Sequence, residues 1–126
     1  MQGRVILVVE DDPMLQLSMK AVLKRMGHEV HVVGSGEAAI EWDENELALV
    51  FMDLGLPGIQ GDDAARLIRE KEERENRKRV PIIALTGHAR KGDCLASGMD
   101  DYLQKPALMK DLELIINKWA PELSRK

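Results

Sequence analysis

The sequence predicts an α/β fold in which five parallel strands form a doubly wound sheet with five helices on its two faces. Short apolar, β-branched runs alternate along the chain with amphipathic stretches of helical length. Runs such as Arg4–Val9 are continuously apolar, which is typical of strands buried on both faces of a parallel sheet. Right-handed crossovers between such strands place helices on both sides of the sheet.

The chain has 126 residues, which suffices for one domain with a closed core and not for two, so we expect a single domain over residues 1–126. The net charge of −4 gives no electrostatic argument for nucleic-acid binding. The single cysteine, Cys94, excludes an intramolecular disulfide, and no apolar run approaches the ~20 residues of a membrane span. With no signal-peptide pattern, we expect a cytoplasmic domain without direct membrane contact, either as a stand-alone protein or as part of a longer chain.

The first half of the chain contains three predicted strands and two predicted helices. The strand Arg4–Val9 leads into a helix at Pro13–Met26, for which Asp12 is well placed as N-cap and Gly27 as C-terminal stop. The other predicted elements of this half are strands at Glu29–Val33 and Ala48–Met52 and a helix that begins at Ser35.

The second half contains two more strands and three helices. A loop rich in glycine and proline, Leu54–Gly61, precedes a helix that begins near Asp62 and has an almost wholly charged tail, Arg69–Arg79. Acidic and basic residues alternate in this tail at i,i+4 spacing, so we expect a solvated helix extension and loop rather than a basic nucleic-acid patch. The remaining predicted elements are strands at Val80–Thr86 and Asp101–Gln104 and helices at His88–Ser97 and Leu108–Trp119.

Polar residues collect at the predicted carboxyl ends of the strands, where a doubly wound sheet binds its ligands. These residues are Glu10, Asp11, Asp12, Asp53, Thr86 and Lys105. In the common strand order 2-1-3-4-5 the four carboxylates meet in one cleft, and a cation such as Mg²⁺, or Mn²⁺, would relieve their repulsion. A lysine and a threonine facing a metal-bound carboxylate are suited to forming an acyl phosphate on that carboxylate. For Asp12 the sequence also allows a purely capping role at the start of the first helix, which is the preferred interpretation.

Four segments resemble the receiver domains of two-component response regulators. They are VILVVEDD, FMDLGLPGIQG, PIIALTG and GMDDYLQKP, in the family's order over nearly the whole chain. The resemblance implies a flavodoxin-like fold and the transfer of a phosphoryl group from phosphohistidine to an aspartate. It assigns Asp53 as the phospho-acceptor. It also implies a metal bound directly by Asp11, through water by Glu10, and by the main-chain carbonyl of Gly55.

The same resemblance assigns the residues that would hold and sense the phosphoryl group. Lys105 would bind a phosphate oxygen, with a cis peptide before Pro106, and Thr86 and Tyr102 would form a switch pair. Two modulating positions flank the phosphoryl site in this family. One is Gly55, which is smaller than the usual residue and leaves the site open. The other is His88, for which we hypothesise an effect on phosphoryl lifetime, the alternative being an exposed residue at a helix start.

The segment Pro81–Pro106 resembles receivers of hybrid sensor histidine kinases more than those of transcription factors. The implied partners are a histidine kinase or a histidine phosphotransfer domain, which would dock at the start of the first helix. Met14 and Leu17 are candidates for exposed contacts there, although both fit the core equally well. A stand-alone single-domain response regulator is the alternative function. A weak homodimer through the predicted fourth and fifth helices is the alternative use of the surface.

Three other classes of protein fit the site less well. A metal-dependent phosphatase would need a substrate pocket and a second acid/base carboxylate near Asp53. A flavodoxin-like cofactor protein would offer hydroxyls and amides to a phosphate where this chain has Glu10, Asp11 and Asp12. A phosphate-independent interaction module would not need both Asp53 and Lys105. As a domain, the chain would at most phosphorylate and dephosphorylate itself, while a parent protein could be a histidine kinase.

Overall fold

The computed structural model describes residues 4–42, 46–56, 58–87, 97–105 and 107–124. Strands and helices alternate through these ranges as the sequence predicts. The strands are β1 (Val5–Val9), β2 (Glu29–Val33), β3 (Leu47–Asp53), β4 (Ile82–Thr86) and β5 (Asp101–Gln104). The helices are α1 (Pro13–Arg25), α2 (Gly36–Glu41), α3 (Gly61–Arg74) and α4 (Met109–Trp119), followed by a 3₁₀ helix (Pro121–Ser124). Helix α4 is the fifth of the predicted helices, because the one predicted at His88–Ser97 lies, apart from Ser97, outside the described residues.

All five strands are parallel and lie in the order β2-β1-β3-β4-β5, which confirms the predicted sheet. Their register aligns the carboxyl ends of the strands. Val9 pairs with Met52, so the residues that follow, Glu10 and Asp53, leave β1 and β3 side by side. Thr86 pairs with Gln104, which places Lys105 directly beyond the end of β4.

Successive residues of each strand face opposite sides of the sheet and enter two separate apolar clusters. Leu7 and Val9 of β1 belong to a cluster that includes Ile68 of α3. Val8, between them, belongs to a second cluster that includes Leu23 of α1 and, from α4, Leu112. Helices therefore cover both faces, as predicted. Within the described ranges, no helix has the length and apolar character needed to cross a membrane.

The predicted ends of α1 are confirmed in detail. The Asp12 carboxylate accepts hydrogen bonds from the main-chain N–H groups of Met14, at 2.8 Å, and Leu15, at 3.4 Å. Gly27 follows the helix with a φ of +93°, a left-handed conformation that glycine adopts without the steric cost paid by other residues. The direction in which the chain leaves β1, past the acidic residues, is thereby fixed by the first turn of α1.

The expectation that Arg69–Arg79 is a solvated segment is wrong at its beginning. Arg69 lies 2.8 Å from Glu72 Oε1 and 2.7 Å from Asp100 Oδ2, and Glu72 is buried. We call these three residues the Arg69 cluster. The partner acid comes from a distant part of the chain, so the local charge pattern could not reveal it. Farther along, Arg77 pairs at 2.7 Å with Glu75 beyond the end of the helix.

The Arg69 cluster also binds the main chain that enters β4. Glu72 Oε2 accepts the N–H of Val80 at 2.7 Å, and Asp100 Oδ2 accepts the N–H of Ile82 at 2.8 Å. Arg69 itself donates to the Val80 carbonyl at 2.8 Å. These charges satisfy main-chain groups that would otherwise be buried without partners, at the end of the sheet opposite the acidic cleft.

Asp101, which follows Asp100 of the Arg69 cluster, forms a second polar cluster with residues of α4. Its buried carboxylate accepts hydrogen bonds from Trp119 Nε1 at 3.0 Å and Lys118 Nζ at 3.2 Å, and its other oxygen accepts the Tyr102 N–H at 2.9 Å. Burial alone would raise the pKa of Asp101, but these donors outweigh it and hold the pKa below its ordinary value. The start of β5 is therefore tied to the last helix through an ionised side chain.

Candidate functional site

Three carboxylates meet at the carboxyl ends of β1 and β3. Oxygen atoms of Glu10, Asp11 and Asp53 all lie within 4.8 Å of one another. Glu10 and Asp53 are buried, whereas Asp11 is exposed, so the cleft opens to solvent on the Asp11 side. Of the two roles that the sequence allows for Asp12, a place in this cleft or a cap on α1, the structure shows the cap, because the Asp12 carboxylate accepts hydrogen bonds at the start of that helix. Asp12 contributes its main-chain N–H, which donates to Glu10 Oε1 at 3.2 Å.

Lys105 bridges the two buried acids. Its Nζ atom lies 2.9 Å from Asp53 Oδ1 and 3.0 Å from Glu10 Oε2. The main chain supports this position, because the Lys105 N–H donates to the Thr86 carbonyl at 2.8 Å and so continues the β4–β5 ladder by one residue. The ammonium group can reach any anionic group that is attached to Asp53.

Burial and Lys105 have opposite effects on the pKa values of Glu10 and Asp53. Burial raises the pKa of Glu10, and the nearby Asp53 charge adds to the increase. Burial also pushes the pKa of Asp53 upward, but the hydrogen bonds from Lys105 and from the Gly55 N–H outweigh it and lower the pKa below its ordinary value. For Lys105, burial opposes the charged form, yet the two carboxylates raise its pKa. Of the two buried acids, Asp53 is therefore the one whose ionised form the surroundings favour.

Other predicted site residues lie around Asp53. The Gly55 N–H donates to Asp53 Oδ1 at 3.0 Å, and a Cβ on Gly55 would lie 3.8 Å from that oxygen, so the space beside it is open. Thr86 is buried at the end of β4, beside the strand that carries Asp53. Tyr102 lies on β5 with a partly exposed ring. The structure brings Gly55 and Thr86 to the carboxyl edge of the sheet beside Asp53. Tyr102 instead pairs with Ala84, two residues back from this edge, while His88 and Pro106 lie outside the described residues.

Two residues near the cleft were missed by sequence reasoning. Gln16, on α1, donates from its side-chain nitrogen to the main-chain carbonyl of Glu10. Gly61, the first residue of α3, is packed so tightly that a Cβ there would lie 2.2 Å from the main-chain oxygen of Asp53. The glycine at the end of the predicted loop was a signal for such a close approach, whereas nothing in the helical pattern of α1 distinguishes Gln16 from a solvated residue.

The donor set fits a hard divalent cation. Three carboxylates and one ammonium group leave an excess of negative charge in a small cleft, and Mg²⁺ or Mn²⁺ prefers oxygen ligands of this kind while keeping positions for water or phosphate. Glu10, Asp11 and Asp53 each offer a carboxylate oxygen to such an ion.

Exposed apolar side chains lie at the starts of the two helices that follow cleft residues in the chain. Met14 and Leu17 at the start of α1 are 74% and 67% exposed, so both lie on the surface rather than in the core. Leu108 and Met109, at the start of α4, are also exposed and follow Lys105 closely along the chain. Exposed apolar residues grouped around a charged cleft are typical of a protein-binding surface.

Comparison with known proteins agrees with the fold and the cleft. The response regulator receiver domain family matches residues 6–117, and the chain belongs to this family. The sensor protein GacS of Pseudomonas syringae is 41% identical over 118 residues, which cover 90% of this chain and 13% of GacS. The chain thus corresponds to a small part of that relative. Hybrid signal transduction histidine kinases also match, which confirms the predicted resemblance to their receivers.

Two solved structures are especially similar. The receiver domain of the sensor histidine kinase PA1611 from Pseudomonas aeruginosa, which has a magnesium ion in its active-site cleft, is 40% identical. It superposes with a TM-score of 0.79, and the match covers 93% of this chain and 97% of that one. A chain from the co-crystal structure of the Saccharomyces cerevisiae phosphotransfer protein Ypd1 with the receiver domain of Ssk1 is 30% identical. Its TM-score is 0.89, and coverage is 98% of this chain and 93% of that one.

Proposed function

We propose that this receiver domain accepts a phosphoryl group from phosphohistidine onto Asp53 in a reaction that depends on a bound divalent metal. The observation that carries the proposal is the contact of Asp53 with Lys105, in a cleft that also contains Glu10 and Asp11. An ionised carboxylate held beside a cation and two further acids is a nucleophile with a prepared environment for added negative charge.

In the proposed reaction an oxygen of Asp53 forms a bond to phosphorus while the P–N bond of the donor breaks. The bonding electron pair returns to the imidazole nitrogen, which leaves as neutral imidazole when the ring's other nitrogen already carries a proton. Lys105 binds a phosphoryl oxygen with its ammonium group, and Thr86 offers a hydroxyl to another. The Gly55 N–H, which donates to Asp53 Oδ1, holds the carboxylate in a fixed orientation during attack.

Glu10, Asp11 and Asp53, with the main-chain carbonyl of Gly55, would hold the metal. When bound, Mg²⁺ or Mn²⁺ neutralises the acids and the negative charge of the transferring phosphoryl group. Support for this assignment comes from the carboxylate oxygens within 4.8 Å of one another and from the magnesium in the cleft of the PA1611 receiver.

The partner in this proposal is a histidine phosphotransfer domain or a histidine kinase that docks beside the cleft. Met14 and Leu17 on α1, with Leu108 and Met109 on α4, supply the apolar contacts that surround the reacting groups. The similarity to the chain crystallised with Ypd1 supports this choice of partner. We further propose that the chain works as the receiver of a hybrid sensor histidine kinase on the cytoplasmic side of the membrane.

The switch and the lifetime of the phosphorylated state are parts of the same proposal. Thr86 would move toward the phosphoryl group, and the partly exposed ring of Tyr102 would turn inward. The open space beside Gly55 admits water to the phosphoryl group, and His88 would modulate how fast that water reacts.

One experiment tests the central claim. The protein is incubated with Mg²⁺ and acetyl phosphate, and the product is examined for a hydroxylamine-labile phosphate by mass spectrometry. We expect one phosphoryl group on the wild type and none on Asp53→Asn or in the presence of EDTA. Asp62→Asn, which changes a partly exposed acid in the first turn of α3, is the matched control and should be labelled normally. Labelling of Asp53→Asn at the wild-type level would overturn the proposal.

A further inference from the structure

The end of β1 is held by a side chain that has no place in the chemistry described above. Gln16 lies on α1, and its Nε2 atom donates to the main-chain carbonyl of Glu10. Glu10 directly follows β1, and its N–H donates to the carbonyl of Val33 in β2 at 3.0 Å, which extends the β1–β2 ladder by one hydrogen bond. Gln16 supplies the hydrogen bond to the carbonyl of the same residue.

The position of this bond matters because of the atoms that share its peptide plane. The carbonyl of Glu10 belongs to the planar unit that joins Glu10 to Asp11, and fixing the oxygen fixes the orientation of both α-carbons. These are the two acids that precede α1 in the cleft. Gln16 thus binds the peptide that links Glu10 and Asp11 rather than a carboxylate of the cleft.

The rest of the local structure closes a ring around this peptide. The Asp12 N–H donates to Glu10 Oε1, and the Gln16 N–H donates to the Asp12 carbonyl at 2.9 Å. Gln16 therefore holds the Glu10 carbonyl from a helical turn whose own start is anchored by Asp12. Gln16 is thus held by its main-chain N–H at Asp12 and by its side-chain amide at Glu10, and a side chain pre-organised in this way loses little freedom when a ligand arrives.

We infer that Gln16 is a positioning residue for the metal site, which sets the affinity for Mg²⁺ by fixing the Glu10–Asp11 peptide. The inference rests on the proposed binding of a divalent metal by Glu10, Asp11 and Asp53. Groups that orient metal ligands without touching the metal commonly change its affinity by 10–100-fold when they are removed.

The test compares Mg²⁺ binding by the wild type and by Gln16→Met, which keeps the length of the side chain and removes its donor. Binding of MgCl₂ is measured by calorimetry and by the change in the Gly55 amide resonance, neither of which depends on phosphorylation. We expect the Kd of Gln16→Met to be weaker by about tenfold. Ser18→Met, at an exposed position of the same helix, is the matched control and should keep the wild-type Kd.

The wild type itself supplies a second measurement, which needs no variant to fold. The side-chain amide resonances of Gln16 should shift during the Mg²⁺ titration with the same Kd as the Gly55 resonance. A Kd for Gln16→Met within twofold of the wild-type value, or Gln16 amide resonances that do not respond, would overturn the inference. Failure of the wild type to bind Mg²⁺ would instead overturn the proposed metal site, so the two failures are distinguishable.

Discussion

The ammonium nitrogen of Lys105 lies 2.9 Å from Asp53 Oδ1, a side chain that is only 5% exposed. This contact places a fixed positive charge in the same cleft in which three carboxylates can hold a divalent cation. The two positive charges repel each other, so the lysine that should assist phosphoryl transfer should also weaken the binding of the metal. The two effects can be separated experimentally.

Replacing Lys105 with methionine should therefore move two measured quantities in opposite directions. We expect Lys105→Met to bind Mg²⁺ more tightly, by about tenfold, because one unit of positive charge is removed from the cleft. Phosphorylation by acetyl phosphate should slow by at least about a hundredfold, since a phosphoryl oxygen loses its cationic partner. Calorimetry and a phosphorylation time course measure the two effects. Lys110→Met, an exposed lysine on α4, should change neither.

Glu10 should destabilise the metal-free protein at neutral pH. Its raised pKa means that the folded state holds the proton more tightly than the unfolded state, so stability falls as the pH rises from the ordinary value of 4.5 through the folded-state pKa. Glu10→Gln, which mimics the protonated side chain, should raise the free energy of unfolding at pH 7 in EDTA and lose this advantage near pH 4. Urea denaturation at both pH values measures the difference. If Glu10→Gln is less stable than the wild type at pH 7 in EDTA, the predicted increase in the free energy of unfolding is wrong.

Asp101 should have the reverse pH dependence, because its pKa is lowered in the folded state. The stability it contributes is complete above its ordinary pKa of 3.8 and is lost as the pH falls through the lower, folded-state value. Asp101→Asn weakens the bonds from Lys118 and Trp119 and should cost about 1–2 kcal/mol at pH 7. The cost should shrink toward pH 3 in urea denaturation. Glu113→Gln, an exposed acid on α4, should be neutral at both pH values.

Arg69 and Arg66 form a matched pair of arginines on α3 with different surroundings. Arg69→Met removes the cation from the Arg69 cluster and leaves Glu72 and Asp100 without it, so we expect a loss of about 3 kcal/mol or more. Arg66→Met breaks an exposed pair with Asp63 and should cost no more than about 0.5 kcal/mol. Urea denaturation measures both losses. Equal losses in the free energy of unfolding would show that the burial of the Arg69 cluster does not increase its contribution to stability.

Gly61 should tolerate no larger residue. In Gly61→Ala the new Cβ would lie 2.2 Å from the Asp53 main-chain oxygen, so either α3 or the end of β3 has to shift. We expect a loss of about 1–3 kcal/mol, as is usual for overpacking. Gly87→Ala is the matched control, since among the described residues a Cβ there meets no atom within 4 Å. The midpoint of thermal unfolding compares the two variants, and a shift in Gly87→Ala as large as that in Gly61→Ala would rule out the steric cause.

The sequence predicted those features that follow from periodicity and from the ends of strands. Buried strands stand out as apolar runs, and the parallel sheet then brings the ends of β1 and β3 together, which is why Glu10, Asp11 and Asp53 could be placed in one cleft before their distances were known. The cap at Asp12 was visible for the same reason, because it depends only on neighbours within one helical turn.

Contacts between distant segments could not be predicted in this way. Arg69 looks like one charge among many in a solvated tail, and only the folded chain shows that Asp100 lies beside it, 31 residues away. Gln16 is close to Glu10 in sequence, but its bond depends on the angle at which α1 leaves β1. Both residues are polar, and the sequence pattern of a polar residue does not reveal whether its side chain faces water or binds a buried carbonyl.

The adjacent acids Asp100 and Asp101 have a consequence for the edge of the sheet. The Asp100 carboxylate binds Arg69 on the α3 side and the Asp101 carboxylate binds Trp119 on the α4 side, at the start of a strand of only four residues. A slip of one residue would turn each acid toward the wrong helix and bury it without a partner. The two acids therefore fix the register of β5, a strand too short to specify its own pairing. This register is what places Lys105 at the acidic cleft.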